Sequence, residues 1–327
     1  MMMVNSSDFN STSEDDVYSL PDTFRIILVG LYIVILLLSV VGNSLIIKCC
    51  LLTKKRKKVS ALFVCSFAIS NITISLLCTP FTVVSNIVFY YWAFPGWLCP
   101  VTSYIQLVVI IQRVCSLVAL TLHRHRSIVY FSAKKLTKRN GAIITILLWI
   151  FSAIFALPAV LQSKVIFLDE FTPGGYGVCA EDWSAPYMRK SYTIAIALVQ
   201  YGIPLVILTV THTRVLTTVF RRKVPGEQNQ TRDRMLKRSK RKTLVFLILV
   251  VIAYAILWLP LQVITIVGDH YPAIYDHSFA HMLWIFCHWF ALCDTCTYPL
   301  LVLYKRRKKE TSFWKLICGE ISEMRRN

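Results

Sequence analysis

The stretch that decides the fold is Cys99–Tyr130, CPVTSYIQLVVIIQRVCSLVALTLHRHRSIVY. It is rich in Val, Ile and Leu and has almost no helix breaker, so it is long enough to cross a bilayer as a tilted helix. On such a helix Gln106, Arg113 and Arg124 fall on one face. Arg113 would lie about 16 Å from one end and about 21 Å from the other, too deep to reach water. Other helices must therefore enclose this span, and we predict that it is the central helix of a bundle.

The composition of the whole chain is that of a membrane protein. Of its 327 residues 56% are hydrophobic and only 16% are charged, whereas a soluble protein carries about 25% charge. The net charge of +19 sits in short basic blocks that border apolar segments on alternate connections. Cytoplasmic loops show this distribution, which argues against a nucleic-acid surface. The blocks are residues 54–58, 134–139, 221–223, 232–242 and 305–309.

Seven apolar spans are predicted, at residues 24–52, 59–89, 97–130, 140–162, 190–220, 240–268 and 278–304. Because the number of crossings is odd, the two termini lie on opposite sides, and the basic blocks place the C-terminus in the cytoplasm. We therefore predict an all-α membrane protein in three parts. These are an extracellular tail (1–23), a seven-helix bundle (24–304) and a cytoplasmic tail (305–327).

Both tails carry candidate modification sites. Asn5 and Asn10 begin Asn-x-Ser/Thr glycosylation sequons on the side predicted to be external. After the last span, residues Phe313–Cys318 have apolar residues on one face and could form a short amphipathic helix on the inner leaflet. Cys318 would then be a palmitoylation site. The alternative is a frayed tail with an ordinary thiol.

Two of the eleven cysteines lie where an oxidising compartment would reach them. Cys99 begins span 3 and Cys179 lies in the connection between spans 4 and 5, both on the predicted external side. Most of the other cysteines lie inside spans, where a thiol behaves as a small apolar side chain. We predict a Cys99–Cys179 disulfide that ties this connection over the mouth of the bundle.

A set of residues occurs in order along nearly the whole chain: Gly42, Asn43, Trp92, Phe94, Cys99, Arg124, Trp149, Pro204, Trp258, Pro260 and Pro299. This set resembles that of the rhodopsin-like G-protein-coupled receptors. Within that family, KVPGEQNQTRDRMLKRSKRKT (223–243) and CHWFALCDTC (287–296) are similar to segments of receptors for neuropeptide Y, neuropeptide F and RYamide. The resemblance implies a plasma-membrane receptor that couples an amidated neuropeptide to a heterotrimeric G protein. Arrestin is a possible further partner, and no cofactor or metal is implied.

The resemblance also implies a ligand pocket. Its candidate residues match positions that surround an amidated peptide end in neuropeptide Y receptors: Thr82, Gln106, Gln200, Asp269 and His288. The amides of Gln106 and Gln200 can donate to and accept from a carboxamide, and Asp269 can pair with a peptide arginine. The alternatives are interhelical hydrogen bonds for the two glutamines and a solvated loop acid for Asp269. Longer-range attraction of a basic peptide is expected from Glu181, Asp182 and Asp276.

The signalling positions implied by the resemblance are partly altered. Hinge elements are expected in spans 6 and 7, namely Trp258, Pro260 and Pro299. Arg124 is expected to face the G protein, but it is flanked by His123 and His125 where the family usually has Asp-Arg-Tyr. A histidine cannot pair with Arg124 as an aspartate does. Two interpretations stay open: signalling with shifted basal activity, or peptide binding with weak coupling.

An internal ion pair is our hypothesis for the centre of the bundle. Asn71 stands where the family usually has the aspartate of a sodium site, and Arg113 falls where a small or polar residue usually lines it. We expect Arg113 to supply the positive charge and to pair with Asp294, because an unpaired charge at that depth would cost several kcal/mol. The alternative is that Arg113 bonds backbone carbonyls and Asp294 is protonated.

Other classes of protein find little support. The sequence has no nucleophile elbow, no phosphate-binding glycine loop and no HExxH helix, so we predict no enzyme activity. His277, His281 and His288 lie near one face of span 7, but we predict no metal site there. A transporter or channel is the remote alternative, although seven unrepeated spans are untypical of transporters.

Overall fold

Seven helices in the described part of the chain are long and apolar enough to cross a membrane, as the sequence predicts. The computed structural model describes residues 21–52, 59–130, 136–167, 177–221, 230–276 and 278–307. Spans 1 to 7 are Asp22–Leu51, Val59–Val88, Leu98–Val129, Lys138–Gln162, Pro186–Thr218, Ile248–His270 and Phe279–Leu303. The predicted seven-helix bundle is therefore confirmed.

Several spans contain more than one helical segment. The α-helices are α1 (Asp22–Leu52), α2 (Val59–Thr73), α3 (Thr79–Val83), α4 (Leu98–Val129), α5 (Lys138–Phe155), α6 (Leu157–Gln162), α7 (Pro186–Ala197), α8 (Ile203–Arg221), α9 (Gln230–His270), α10 (Ser278–Leu292) and α11 (Asp294–Arg307). Wider π-helical turns occupy Ile74–Cys78, Val84–Val88 and Leu198–Gly202, and a 3-10 turn occupies Pro272–Asp276. The strands are β1 (Ser163–Phe167) and β2 (Gly177–Glu181).

Several predictions for the two tails lie outside the described residues. They concern Asn5, Asn10, the segment Phe313–Cys318 and its thiol Cys318. The division of the chain into residues 1–23, 24–304 and 305–327 therefore stays a prediction.

The outer surface of the bundle is apolar, as lipid requires. In span 1 the side chains of Ile26, Ile33, Val34 and Leu37 are each more than half exposed. A run of large aliphatic side chains on one helix surface would be costly in water, whereas lipid tails solvate it well. Apolar side chains are thus exposed where lipid is expected, and polar residues lie inside the bundle.

Spans 2, 3 and 7 form the interior of the bundle. In the most apolar 18-residue stretch of each of these spans, 56–61% of the residues are buried, against 17% in spans 1 and 4. Span 3 contacts spans 2, 4 and 5, and Arg113 at its middle is only 1% exposed. The expectation that other helices enclose this span agrees with the structure.

Prolines explain some of the polar contacts between spans. Proline lacks an N–H and its ring crowds the carbonyl four residues earlier, so that carbonyl needs another donor. Pro204 frees the carbonyl of Gln200, which accepts from the hydroxyl of Tyr254 on span 6. Pro299 frees the carbonyl of Thr295, which accepts from the side-chain amides of Asn43 at 3.1 Å and Asn71 at 3.4 Å.

A β-hairpin that the sequence pattern did not predict covers one end of the bundle. Strands β1 and β2 pair antiparallel, with Val165 opposite Cys179. The disulfide between Cys99 and Cys179 joins the hairpin to the start of span 3, and the N–H of Trp92 donates to the carbonyl of Gly177 at 2.7 Å. We call this the disulfide end of the bundle, and the opposite end of span 3 the Arg124 end.

Close packing of spans 1 and 7 leaves no room for a side chain at Gly42. A Cβ atom there would lie 2.6 Å from Cβ of Pro299, whereas one at Gly30 in the same span would meet nothing within 4 Å. Because the proline ring is rigid, we expect Gly42→Ala to lower the stability of the bundle by about 1–3 kcal/mol.

Gly30→Ala is the matched control for this prediction. It should leave the melting temperature unchanged or slightly raised, because alanine favours the helix over glycine. Thermal unfolding of the two purified variants in detergent measures the difference. Equal melting temperatures for Gly42→Ala and wild type would contradict the close contact.

Candidate ligand-binding site

A cavity of about 190 Å³ lies between spans 2, 3, 5, 6 and 7, under the hairpin. All five residues that the sequence predicts for ligand binding line it: Thr82, Gln106, Gln200, Asp269 and His288. Trp258 also lines the cavity, and it lies about 16 Å along span 6 from Asp269. The cavity therefore runs from the disulfide end toward the middle of the bundle.

The side-chain amides of Gln106 and Gln200 are available to hydrogen-bond a ligand. Within the described residues, no hydrogen bond engages the side-chain amide of Gln106 or of Gln200, although Gln200 is buried. Thr82 donates its hydroxyl to the carbonyl of Cys78 at 3.3 Å, so its oxygen can still accept. The two glutamines thus do not act as interhelical links in this part of the chain.

His288 is held in a fixed orientation in the wall of the cavity. The hydroxyl of Tyr32 lies 3.1 Å from the carbonyl of Ile285 and 3.0 Å from Nδ1 of His288. With the hydroxyl proton directed at the carbonyl, Nδ1 donates and Nε2 is an acceptor; with it directed at Nδ1, Nε2 carries the hydrogen and is a donor. The imidazole also stacks on Trp284, with ring centroids 5.2 Å apart.

The acidic group predicted at the outer end of span 6 is already paired. Asp269 is 8% exposed and so is not a solvated loop acid. Its Oδ1 accepts from Nε of Arg189 at 3.2 Å, and its Oδ2 accepts from the hydroxyl of Thr193. Both partners belong to span 5 and line the cavity, and the sequence reasoning missed both. A ligand arginine would therefore compete with Arg189 for Asp269.

A buried ion pair lies below the cavity. Arg113 and Asp294 are 1% and 2% exposed, and the guanidinium contacts the carboxylate directly. Nε of Arg113 donates to the side-chain oxygen of Asn71 at 2.7 Å, and the guanidinium carbon lies 5.1 Å from the ring centre of Phe67. The site holds one arginine and one aspartate, so it is neutral. Asn71 carries no charge, whereas an acid at that position would make the site negative.

Trp258 connects the cavity to this ion pair. Its indole Nε1 donates to Oδ2 of Asp294 at 2.9 Å, the same oxygen that Arg113 contacts. Asp294 begins α11 after span 7 breaks at Cys293, and a carboxylate is favoured at the start of a helix. The guanidinium carbon of Arg113 lies 5.7 Å from the centre of the indole ring, so a ligand that touches Trp258 touches a residue in contact with both members of the ion pair.

A second polar network joins spans 2, 3 and 4, and the sequence reasoning missed it. Gln112 donates to Ser66 at 2.8 Å and accepts from Ser152 at 3.2 Å. Ser66 also accepts from the indole of Trp149 at 3.1 Å, and its hydroxyl oxygen lies 3.0 Å from that of Ser116. The available signal was the one-turn spacing of Gln112 and Ser116 on the buried side of span 3.

The Arg124 end carries the residues predicted for G-protein coupling. Arg124 is half-buried and lies beside Tyr298 of span 7. His123 packs against Phe63 with ring centroids 6.2 Å apart, and His125 is buried with no hydrogen-bond partner at Nε2 among the described residues. None of these three residues lines the cavity, so the residues predicted for coupling lie apart from those predicted for ligand binding.

Seven spans around a cavity, with a disulfide-tied hairpin above it, define a seven-helix membrane receptor. The model of the rhodopsin family of seven-transmembrane receptors matches residues 42–302. The chain belongs to this family. It is accordingly a multi-pass plasma-membrane protein of the G-protein-coupled receptor class, and it is not an enzyme.

Neuropeptide receptors are among its relatives. The chain is 28% identical to the RYamide receptor of Drosophila melanogaster over 324 residues, which cover 97% of this chain and 68% of the fly protein. It is 26% identical to the RYamide receptor of Tribolium castaneum over 298 residues, covering 89% of this chain and 80% of the beetle protein. Identity to the neuropeptide Y receptor type 2 of Gallus gallus is 29% over 292 residues, covering 88% of this chain and 74% of the chicken protein.

Proposed function

We propose that this chain is a receptor for a neuropeptide with an amidated C-terminus, of the RYamide or neuropeptide Y kind, and that it signals through a heterotrimeric G protein. The observation that carries the proposal is the convergence of five polar residues from five spans on one cavity. Relatives named as receptors for RYamide and neuropeptide Y support the same ligand class.

The free groups in the cavity fit a carboxamide. A terminal carboxamide presents one oxygen acceptor and two N–H donors, and it carries no charge. Gln106 and Gln200 each offer both a donor and an acceptor, and Nε2 of His288 adds a donor or an acceptor according to its tautomer. A free carboxylate would instead add a second negative charge to a cavity whose charged side chains, Glu181, Arg189 and Asp269, already sum to one negative charge. Amidation of the peptide is therefore favoured.

Signalling would proceed by a shift in population between two arrangements of the bundle. A peptide that binds one position of Trp258 more tightly biases the receptor toward that arrangement. Pro260 lies inside α9, two residues after Trp258, where it lacks the N–H of an unbroken helix. Movement there would carry the cytoplasmic part of span 6 away from Arg124, to which the G protein and, in turn, arrestin would bind.

The test is discrimination between an amidated peptide and its free acid. We expect Gln106→Leu and Gln200→Leu each to weaken binding of a synthetic peptide ending in Arg-Tyr-amide about tenfold, since each removes hydrogen bonds to the carboxamide. Binding of the free-acid peptide should change little. Competition binding on membranes measures affinity, and peptide-dependent nucleotide exchange on a G protein measures coupling.

Gln262→Leu is the matched control, because Gln262 is a third glutamine of the same cavity that we do not assign to the peptide end. It should affect the amide and the acid equally. The assignment would be contradicted if Gln262→Leu abolished the difference in affinity between the amidated peptide and the free acid while Gln106→Leu and Gln200→Leu retained it. Peptide-dependent substrate flux in proteoliposomes, without nucleotide exchange, would favour a transporter instead.

A further inference from the structure

Three charged side chains line the cavity: Glu181, Arg189 and Asp269. Arg189 and Asp269 pair with each other at 3.2 Å, so their charges cancel. The cavity is left with one negative charge, on Glu181. A ligand that carries a positive charge therefore meets a site that favours it, but not at the carboxylate that span 6 supplies.

Asp269 has little capacity to accept a second cation. One carboxylate oxygen receives the Arg189 guanidinium and the other receives the Thr193 hydroxyl. The side chains of Arg189 and Asp269 are 20% and 8% exposed, so water screens the pair poorly. Removing Arg189 from Asp269 would leave a buried charge unpaired, and such a separation is unfavourable.

Glu181 is in the opposite situation. Its Oε2 accepts from the indole N–H of Trp183 at 2.9 Å, and within the described residues no cation pairs with it. The neighbouring acid, Asp182, already pairs with Lys164 of β1. Of the two acids that line the cavity, Glu181 alone has no charged partner in the part of the chain that the structure describes.

The hairpin directs the side chain of Glu181 toward the cavity. Side chains two residues apart on a strand point to the same side. Cys179 and Glu181 belong to β2, and Cys179 is bonded to Cys99 at the start of span 3. Glu181 therefore extends toward the bundle, in agreement with its place in the wall of the cavity.

We infer that Glu181 is the carboxylate that binds the basic side chain of the ligand, while Arg189 keeps Asp269 occupied. This inference rests on the proposed function and names a specificity residue within it. Because one oxygen of Glu181 is held by Trp183, the ligand cation meets a single free oxygen rather than a two-oxygen fork. The site thus requires a positive charge but does not require the planar geometry of a guanidinium.

The experiment compares a peptide ending in Arg-Tyr-amide with its citrulline analogue, in which a neutral side chain of the same shape replaces the arginine. Wild-type receptor should bind the arginine peptide about tenfold more tightly, as expected for a charge-assisted contact. Glu181→Gln should remove this preference. Asp182→Asn, which alters the adjacent acid, is the matched control and should retain it.

A second variant tests the role of Arg189 without leaving a charge unpaired. Arg189→Met together with Asp269→Asn removes both members of the pair and should retain the preference for arginine. Arg189→Met alone frees Asp269, so affinity for the arginine peptide should rise severalfold.

Two results would overturn the inference. The first is a preference for arginine that survives Glu181→Gln and disappears in the Arg189→Met, Asp269→Asn variant, because Asp269 would then be the anchor and the proposed function would still stand. The second is a wild-type receptor that binds neither peptide in either terminal form, which would remove the proposed function and this inference together.

Discussion

Asp294→Ala is expected to destabilise the receptor by about 3–5 kcal/mol, because it leaves the buried guanidinium of Arg113 without a counter-ion. The pair is almost wholly enclosed, and Asp294 also accepts from the indole of Trp258. Removing the carboxylate therefore affects two donors at once. Thermal unfolding in detergent and the amount of receptor at the cell surface should both fall sharply.

The Arg113→Ala, Asp294→Ala double variant distinguishes a pair from two independent contributions. If the charges are coupled, removing both should restore part of the lost stability, since no unpaired charge is left. Additive losses would rule out the pair. Gln112→Ala is a useful reference, since Gln112 precedes Arg113 on the same helix and is equally buried but belongs to the network with Ser66 and Ser152. Its loss should add to that of Asp294→Ala.

Removal of the Cys99–Cys179 disulfide is expected to lower stability by about 2–5 kcal/mol. The two cysteines are 80 residues apart, so the bridge closes a long loop of the unfolded chain. It also fixes β2, and with it Glu181, over the cavity. Cys99→Ala and Cys179→Ala should therefore reduce affinity for an arginine-containing peptide more than for its citrulline analogue.

The double variant Cys99→Ala, Cys179→Ala should be no less stable than either single one, because each change breaks the same bond. Cys115→Ala is the matched control, since Cys115 is a free thiol on the same helix as Cys99. Thermal unfolding and competition binding measure the outcome. A loss in Cys115→Ala equal to that in Cys99→Ala would show that alanine, rather than the missing bridge, is the cause.

The sequence predicts the spans well because hydropathy is a property of single helices. It also places Thr82, Gln106, Gln200, Asp269 and His288 on one cavity, through the resemblance to neuropeptide receptors. The pairing of Arg113 with Asp294 could be expected from depth alone, since a buried charge needs an opposite one.

The sequence could not show which residues of different spans meet. Arg189 and Thr193 look like ordinary polar residues at the start of span 5, and only the packing of span 5 against span 6 brings them to Asp269. The hairpin strands are short and poorly patterned, so period-two alternation did not reveal β1 or β2. Prolines predicted kinks, but not that Tyr254 would satisfy the carbonyl of Gln200.

The wide turns in spans 2 and 5 have a consequence for how these spans tolerate changes in length. Each π-helical turn accommodates one residue more than an α-helical turn, and one residue corresponds to about 100° of rotation. Thr82 lies between two such turns and Gln200 lies within one. Deleting one residue within such a turn would restore an α-helical turn, so the side chains before and after it would keep their faces while the turn itself presented a different side chain. The length of spans 2 and 5 can therefore change by one residue beside the cavity without rotating the rest of the span.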